Sequence, residues 1–149
     1  MSVGRICTKR VVTISPEADL LDAARTMRES HVGYLVVVQR KAESAFPVGV
    51  ITDRDLVVEV VAREVDPKSI LVRDAMTTEL VSVRDGDSIG TALQRMRSAG
   101  VRRAPVLGHR GELTGLLSID DAVGVLSGEL ADIAGAMRQG QRIERELRT

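Results

Sequence analysis

Apolar positions in the first half of the chain change spacing from strand-like to helix-like and back. Residues 11–14 form a short run rich in β-branched side chains, which favours a strand. Residues 34–38 are almost wholly apolar, which is typical of a strand covered on both faces. The pattern then predicts a strand at 48–52 and a helix at 53–63. Between the first two strands, apolar residues three and four apart define one helix face: Leu20, Ala23, Ala24 and Met27.

Individual residues predict three boundaries in this half. Ser15 and Pro16 predict the start of the first long helix, because serine caps helix N-termini and proline suits the first helical position. The polar stretch 39–44 is expected to form a loop between the second and third strands. Asp66 and Pro67 are expected to end the last helix of this half.

The second half repeats the pattern of the first. Val12 aligns with Val81 at an offset of 69 positions, and Asp55 aligns with Asp121 at an offset of 66 because one loop is shorter. Such self-similarity predicts a duplicated structural unit. The predicted elements are a strand near 80–83, a helix near 87–99, a strand near 103–107, a turn through Gly108 and Gly111, a strand near 113–117 and a helix after Ser118.

The duplication predicts an α+β fold built from two βαββα repeats. We place the first repeat at residues 1–66, a linker at 67–79, the second repeat at 80–128 and a helical tail at 129–149. Because units near 60 residues bury only about 60% of their surface, the two halves are expected to pack face to face.

Composition narrows the possible functions. Apolar residues make up 44% of the 149 residues but aromatic residues only 1%, so the core must be aliphatic. With 21 basic and 21 acidic residues, the chain lacks the basic surface that nucleic-acid binding requires. A single cysteine, Cys7, excludes an internal disulfide and fits a reducing compartment. Apolar stretches are too short to span a membrane and no signal peptide is evident, so we expect a cytoplasmic protein.

The sequence shows no recognisable catalytic or metal-binding constellation. His31 and His109 lie in different segments, with no further His or Cys at ligand spacing. Asp53 and Asp55 lie two positions apart at a helix start and do not face each other, which favours a solvated capping role. Cys7 has no identifiable base partner. We therefore expect neither an enzyme nor a metal site.

Several short motifs resemble those of cystathionine-β-synthase-type (CBS) domains. Residues 49–55 (GVITDRD) and 115–121 (GLLSIDD) resemble the family's pattern of glycine, two apolar residues, Thr or Ser, and Asp three positions later. Residues 72–77 (VRDAMT) are similar to the approach to a second CBS domain, and residues 100–106 (GVRRAPV) to its second strand. The resemblance covers about residues 5–125 and is strongest to small bacterial stand-alone CBS pairs.

The resemblance implies a tandem pair with pseudo-two-fold symmetry and two clefts between the halves. In this family, adenine nucleotides or related adenosyl ligands often occupy one or both clefts. Such pairs often dimerise into a flat disc, so the resemblance also implies a homodimer.

A hydroxyl and a carboxylate recur together at the two expected clefts. Thr52 and Ser118 each end a strand, and Asp55 and Asp121 follow on the first helical turn. A carboxylate can accept both hydroxyls of a ribose, and the positive end of a helix favours phosphate. The same spacing also matches a capping box, which stabilises a helix start without any ligand. Spacing alone leaves both interpretations open.

Arginines and valines complete the predicted binding residues. Arg54, Arg102 and Arg103 could contact phosphate, and Val12 and Val81 could offer apolar contacts to an adenine ring. The family resemblance adds the segments before each first strand, with Thr8 and Thr77. The predicted ligand-binding residues are Thr8, Val12, Gly33, Tyr34, Thr52, Arg54, Asp55, Thr77, Val81, Arg102, Arg103, Ser118, Asp120 and Asp121.

The two repeats differ just before their second long strand. The first has Gly33 and Tyr34 where the second has Arg102 and Arg103. Glycine removes a side chain from its cleft, and tyrosine can fill or stack in it. We expect unequal clefts, with the arginine-bearing cleft better suited to phosphate.

These features predict a regulatory module without catalytic activity. We expect an adenine nucleotide (AMP, ADP or ATP) to act as a regulatory ligand, with no required cofactor. The signal is expected to pass to an effector protein that the sequence does not identify. The alternative is a structural or protein-interaction module whose clefts stay unoccupied.

The last part of the chain carries a heptad-like apolar seam. Its members alternate steps of three and four: Val123, Leu126, Leu130, Ile133 and Met137. The seam could pack on its own domain or form the contact of a homodimer, and the sequence leaves both open. The charged residues 142–148 are expected to form a solvated helix end.

Overall fold

The two halves of the chain fold into the same succession of strands and helices. The computed structural model describes residues 1–148, and the chain begins with a short helix, α1 (Val3–Ile6). The first repeat contains β1 (Thr13–Ile14), α2 (Leu20–Ser30), β2 (Tyr34–Lys41), β3 (Ser44–Thr52) and α3 (Asp53–Leu56), which continues as a π-helical turn (Val57–Val61). A short 3-10 turn (Pro67–Ser69) then leads to α4 (Val72–Ala75), β4 (Val83–Arg84), α5 (Ile89–Ala99), β5 (Arg103–Leu107), β6 (Leu113–Ser118) and α6 (Ile119–Leu147). The predicted α+β fold of two βαββα repeats is confirmed.

Each repeat forms its own three-stranded sheet. In the first sheet β2 lies in the centre, parallel to β1 and antiparallel to β3, and the second sheet repeats this order with β4, β5 and β6. Helices α2 and α5 make the parallel crossovers, and each buries the apolar face that helical spacing predicts. The fully or nearly buried residues of that face are Leu20, Ala23 and Met27 in α2, and Ile89, Ala92 and Met96 in α5.

The predicted start of the first long helix is wrong by several residues. Helix α2 begins at Leu20, and its cap is Asp19, whose carboxylate accepts a 2.8 Å hydrogen bond from the backbone N–H of Asp22. Ser15 instead accepts a 3.2 Å bond from the N–H of Glu17. Residues 15–18 stay non-helical because carbonyls of this segment accept hydrogen bonds from the N–H groups that begin α4.

The predicted loop at 39–44 is a hairpin instead. Strand β2 continues to Lys41 and β3 starts at Ser44, so the connection is the two-residue turn Ala42–Glu43, with Ala42 at a φ of 55°. Residues 39–43 are exposed to solvent, while the backbones of the two strands keep pairing up to Lys41 and Ser44. Hydrophobic periodicity cannot detect strand residues that have no buried face.

The first strand of each repeat is shorter than predicted. Strand β1 holds only Thr13–Ile14 of the predicted 11–14, and β4 is Val83–Arg84 where 80–83 was expected. Ile14 and Val83 are buried in the cores of their own repeats. The residues before them run along the junction between the repeats.

Short segments cross from each repeat to the other. Val3 of α1 packs in the core of the second repeat with Val83 and Met96, and Val72 of α4 packs in the core of the first with Leu20. Backbone hydrogen bonds hold both helices in place. The N–H of Val3 donates to a carbonyl of the second repeat at 2.8 Å, and the N–H of Val72 donates to a carbonyl of the first repeat at 2.7 Å. We call residues 3–8 and 72–77 the exchanged segments.

Each exchanged segment ends by pairing with the last strand of the other repeat. Thr8 and Leu116 exchange two backbone hydrogen bonds of 2.9 Å, and Thr77 and Val50 exchange bonds of 2.9 and 3.0 Å. The glycine beside each pair permits this approach. A Cβ on Gly115 would lie 2.5 Å from Cys7 Sγ.

Helix α6 is a single helix of 29 residues that leaves the body of the protein. Ala122 is its one buried residue, and the apolar seam from Val123 to Met137 is exposed. The alternative in which the seam packs on its own domain is therefore wrong. Although α6 is long, no helix within residues 1–148 is apolar enough over a sufficient length to cross a bilayer.

We expect Gly49→Ala to destabilise the fold by about 1–3 kcal/mol, because the added methyl group overpacks a close backbone contact. Its Cβ would lie 2.7 Å from the carbonyl oxygen of Thr77 and 2.8 Å from Met76 Sδ. Urea unfolding followed by circular dichroism measures the change.

Gly90→Ala is the matched control for this substitution. Gly90 lies in α5, where the nearest atom to an added Cβ is Ser88 Oγ at 3.9 Å. Alanine there should stabilise by about 0.4–1 kcal/mol. Equal stability of Gly49→Ala and the unmodified protein would contradict the proposed role of the glycine.

Candidate functional site

Two clefts open where the exchanged segments cross between the repeats. The first has a volume of about 300 Å³ and takes its walls from the end of β3, the approach to β4 and the approach to β5. Its lining residues are Tyr34, Val50, Thr52, Thr77, Glu79, Leu80, Val81, Val101, Arg102 and Arg103.

The second cleft has a volume of about 210 Å³ and is built from the corresponding elements of the other repeat. It lies between the end of β6, the approach to β1 and the approach to β2. Its lining residues are Thr8, Arg10, Val11, Val12, Val32, Tyr34, Arg103, Leu116, Ser118 and Asp121.

The sequence duplication accounts for the two clefts, position by position. Thr77 of the first cleft corresponds to Thr8 of the second at the offset of 69, and Thr52 corresponds to Ser118 at the offset of 66. Because each exchanged segment pairs with the opposite repeat, every cleft contains residues of both repeats. A molecule bound in either cleft would therefore contact both.

Tyr34 and Arg103 occupy equivalent positions and line both clefts. The guanidinium carbon of Arg103 lies 5.8 Å from the centroid of the Tyr34 ring, which is within cation–π distance. The two side chains thus meet where the clefts adjoin. A change in one cleft that moves either side chain also changes the wall of the other.

Both hydroxyl and carboxylate pairs form capping boxes. Asp55 Oδ2 accepts a 2.8 Å bond from the N–H of Thr52, while Thr52 Oγ1 accepts a 3.3 Å bond from the N–H of Asp55. Ser118 and Asp121 repeat the arrangement at 3.0 and 3.1 Å. The capping interpretation is thus realised in the structure. It does not remove these residues from the clefts, because Thr52 lines the first, and Ser118 and Asp121 line the second.

Ten of the fourteen predicted ligand-binding residues line a cleft. In the first cleft they are Tyr34, Thr52, Thr77, Val81, Arg102 and Arg103. In the second they are Thr8, Val12, Tyr34, Arg103, Ser118 and Asp121.

Gly33, Arg54, Asp55 and Asp120 are not among the lining residues of either cleft. Arg54 and Asp120 are exposed on the first turns of α3 and α6, and Asp55 is held by its capping box. Packing explains the glycine at position 33, because a Cβ there would collide with the carboxylate of Asp53.

Sequence reasoning missed eight residues that line the clefts. Six are aliphatic wall residues, three in each cleft, and two are charged. The missed residues are Val50, Glu79, Leu80, Val101, Arg10, Val11, Val32 and Leu116. The repeat offset could not have found them from the predicted residues, because each missed residue of one cleft aligns with a missed residue of the other.

The clefts combine aliphatic walls with cationic groups. Arg102 and Arg103 line the first cleft together with Glu79, and Arg10 and Arg103 line the second with Asp121. Aliphatic walls suit a flat apolar ring, and guanidinium groups suit an anion such as phosphate. Within residues 1–148, no cluster of three or more His, Cys, Asp or Glu side chains could hold a metal ion.

Burial raises the pKa of Tyr34 from its ordinary value of 10.0 to about 12, and the positive charge of Arg103 opposes this shift. The phenol is therefore neutral at physiological pH. Because the folded protein favours the neutral form, its contribution to stability is present below pH 10 and is lost as the pH rises towards 12.

A family model described as CBS domain matches residues 3–62 and 72–128. Each match begins at the short helix that crosses to the other repeat, α1 or α4. The two matches thus divide the chain at the same place as the structural duplication.

Three relatives illustrate the similarity. The CBS domain-containing protein YhcV of Bacillus subtilis is 34% identical over 134 residues, which cover 89% of this chain and 91% of that protein. The CBS domain protein PAE2072 from Pyrobaculum aerophilum, solved in complex with AMP, is 26% identical, with a TM-score of 0.71 over 81% of this chain and 89% of that chain. A hexameric CBS-CP12 protein from bloom-forming cyanobacteria is 30% identical, with a TM-score of 0.69 over 83% and 69% of the two chains.

Absorbance at 295 nm should show Tyr34 ionising with a midpoint near pH 12, and Arg103→Met should raise the midpoint further because it removes the opposing charge. The chain has one tyrosine and no tryptophan, so the signal belongs to Tyr34 alone.

Arg28→Met, on the last turn of α2, is the control and should leave the midpoint unchanged. Circular dichroism at each pH confirms that the protein is folded. A midpoint near 10 in the folded protein would show that Tyr34 is solvated rather than buried at the junction.

Proposed function

The chain belongs to the CBS domain family, and we propose that it is a regulatory module that binds an adenine nucleotide or a related adenosyl ligand between its two repeats. The observation that carries the proposal is the first cleft, where an aliphatic wall faces Arg102 and Arg103. We propose this cleft as the principal site and the second cleft as the weaker one.

The walls of the first cleft suit an adenine ring. Val50, Val81 and Val101 approach from three different segments and leave a space of about 300 Å³. Small-molecule sites of this kind begin at about 300 Å³. Aliphatic side chains on several sides of a flat base remove its faces from water, which stabilises the complex through the hydrophobic effect.

The arginines suit the phosphate. A guanidinium group presents several N–H donors in a planar fork that matches phosphate oxygens, and hydrogen bonds to a charged group are stronger than neutral ones. Arg102 lines the first cleft only, whereas Arg103 lines both. Because Arg10 gives the second cleft an arginine of its own, the number of arginines does not rank the clefts. The larger volume of the first cleft, about 300 Å³ against about 210 Å³, is the reason for assigning it the higher nucleotide affinity.

Hydroxyl and carboxylate groups remain for the ribose. Thr52, Thr77 and Glu79 line the first cleft, and Thr8, Ser118 and Asp121 line the second. We propose that these groups bind the sugar hydroxyls while the capping boxes keep the helix starts in place. Gly33, Arg54, Asp55 and Asp120 would then act through the local structure rather than by direct contact.

The relative from Pyrobaculum aerophilum supports the adenine assignment. That protein was solved in complex with AMP, and the similarity covers 81% of this chain and 89% of that chain. We extend the ligand class, not the individual contacts, to this chain. AMP is the proposed ligand to test first, followed by ADP and ATP.

Regulation would follow because each cleft is lined by residues of both repeats. A ligand that contacts both repeats favours the relative orientation in which it binds best, and it shifts the equilibrium only by its differential affinity. We propose that a homodimer passes this change to an effector protein in the cytoplasm, without catalysis and without a required cofactor. The lining residues include no nucleophile with a positioned base.

One observation favours the second candidate, a structural or interaction module with unoccupied clefts. The capping boxes already satisfy the hydroxyls and carboxylates of both helix starts, so no ligand is needed to keep these starts folded. In that case the clefts would serve only as a junction between the repeats.

Arg103→Met should weaken AMP binding by about 10–100-fold, because a hydrogen-bonded charge contributes about 1.5–3 kcal/mol. Its effect on adenosine, which lacks the phosphate, should be small. Isothermal titration calorimetry with both ligands measures the difference, and Arg28→Met is the control.

At a hundredfold excess over Kd, AMP should also stabilise the protein by about 2.7 kcal/mol. If AMP, ADP, ATP, S-adenosylmethionine and NADH all leave thermal unfolding unchanged, the interaction module is the correct function.

A second pair of variants assigns the cleft. Val81→Phe fills the first cleft and Val12→Phe fills the second, at positions that correspond in the duplication. We expect Val81→Phe to abolish the tighter AMP binding event and Val12→Phe to preserve it, because each added ring takes the space of a base. The opposite result in calorimetry would place the principal site in the second cleft.

A further inference from the structure

The end of α6 leaves its large apolar side chains exposed. Residues 127–147, which we call the arm, extend about 30 Å at the usual rise of an α-helix. Every large side chain of the arm is exposed. The family match ends at residue 128, so the arm lies almost wholly outside the CBS repeat.

The arm is poorly suited to stay helical alone. Gly128, Gly135 and Gly140 lie within it, and glycine is among the weakest helix formers. These glycines divide the arm into stretches shorter than the roughly 12–15 residues at which an isolated helix becomes stable in water, and most helices in proteins depend on packing of an apolar face. The arm therefore needs a partner along its apolar seam.

The seam is apolar, continuous and accessible. Its residues alternate steps of three and four, which is the spacing of a two-stranded coiled coil. The exposed fractions are 55% for Val123, 41% for Leu126, 66% for Leu130, 58% for Ile133 and 64% for Met137. Nothing in residues 1–148 covers these side chains.

We infer that the seam pairs with the same seam of a second copy, in parallel. In a parallel two-fold pair each residue meets its own counterpart, so five successive layers are apolar on both sides. The seam ends where Gly140 and Glu144 take the next two core positions. The best antiparallel pair, centred between residues 131 and 132, has only four such layers, because it sets each Val123 against the partner's Gly140.

The flanking charges permit the parallel pair. Glu129 borders the seam on one side, and the residue that it would approach in a parallel partner is Ala134. Arg138 and Arg142 lie away from the seam, and Arg142 pairs with Glu146 of its own helix at 3.8 Å. No like charges are brought together over the five apolar layers, so self-association meets no electrostatic barrier there.

This inference deepens the proposed homodimer by naming its contact and orientation, and it does not depend on the ligand. Sedimentation velocity over a range of concentrations should show a dimer. Ile133→Glu should weaken it by at least about tenfold, because it buries a charge against the same charge in the partner. Ala131→Glu, on the opposite face of the helix, should not.

Cysteine cross-linking tests the orientation. Leu130→Cys should form a disulfide-linked dimer on mild oxidation, because counterparts in a parallel pair come within disulfide distance. Asp132→Cys, on the far side of the helix, and the unmodified protein, whose Cys7 is buried, should not. Cross-linking of Leu130→Cys only when it is mixed with Ile133→Cys, its partner in the antiparallel pair, would overturn the inference.

A protein that stays monomeric at all concentrations would also overturn the inference and would assign the arm to a partner of different sequence. The ligand test remains separate, because Ile133→Glu leaves both clefts intact. AMP binding that persists in this variant would show that the nucleotide site and the dimer contact are independent.

Discussion

The structure depends on a reciprocal exchange of short backbone segments between two repeats. Thr8 pairs with Leu116 and Thr77 pairs with Val50, through four hydrogen bonds of 2.9 to 3.0 Å. The helices just before these residues complete the core of the opposite repeat. A small α+β unit of about 60 residues is only marginally stable by itself, and the exchange adds apolar surface to the core of each unit.

The exchange also creates the clefts. Because each exchanged segment crosses the junction, its continuation towards β1 or β4 forms one wall of a cleft, and the last strand of the other repeat forms the opposite wall. The contacts that hold the repeats together thus surround the spaces where a ligand can bridge them. Tyr34 and Arg103, at equivalent positions, connect the two clefts.

The two repeats have the same fold but differ in sequence just before their second long strand. The second repeat places two arginines at the approach to β5, while the first has Gly33 and Tyr34 at the approach to β2. Gly33 leaves room for Asp53, and burial raises the pKa of Tyr34 to about 12. The duplication supplies two similar clefts that share Tyr34 and Arg103, and the corresponding residues Glu79 and Arg10 give their walls different charges.

The sequence by itself determined the duplication, the order of elements and most of the cleft residues. Repetition and periodicity reflect local rules, such as the buried face of α2 and the hydroxyl at the end of β3. Only the tertiary structure decided the start of α2, the hairpin after β2 and the missed wall residues such as Val50 and Val101. The physical reason is that these features depend on backbone hydrogen bonds and side-chain contacts between segments far apart in the chain. Residues 15–18 stay non-helical because α4, more than fifty positions later, uses their carbonyls.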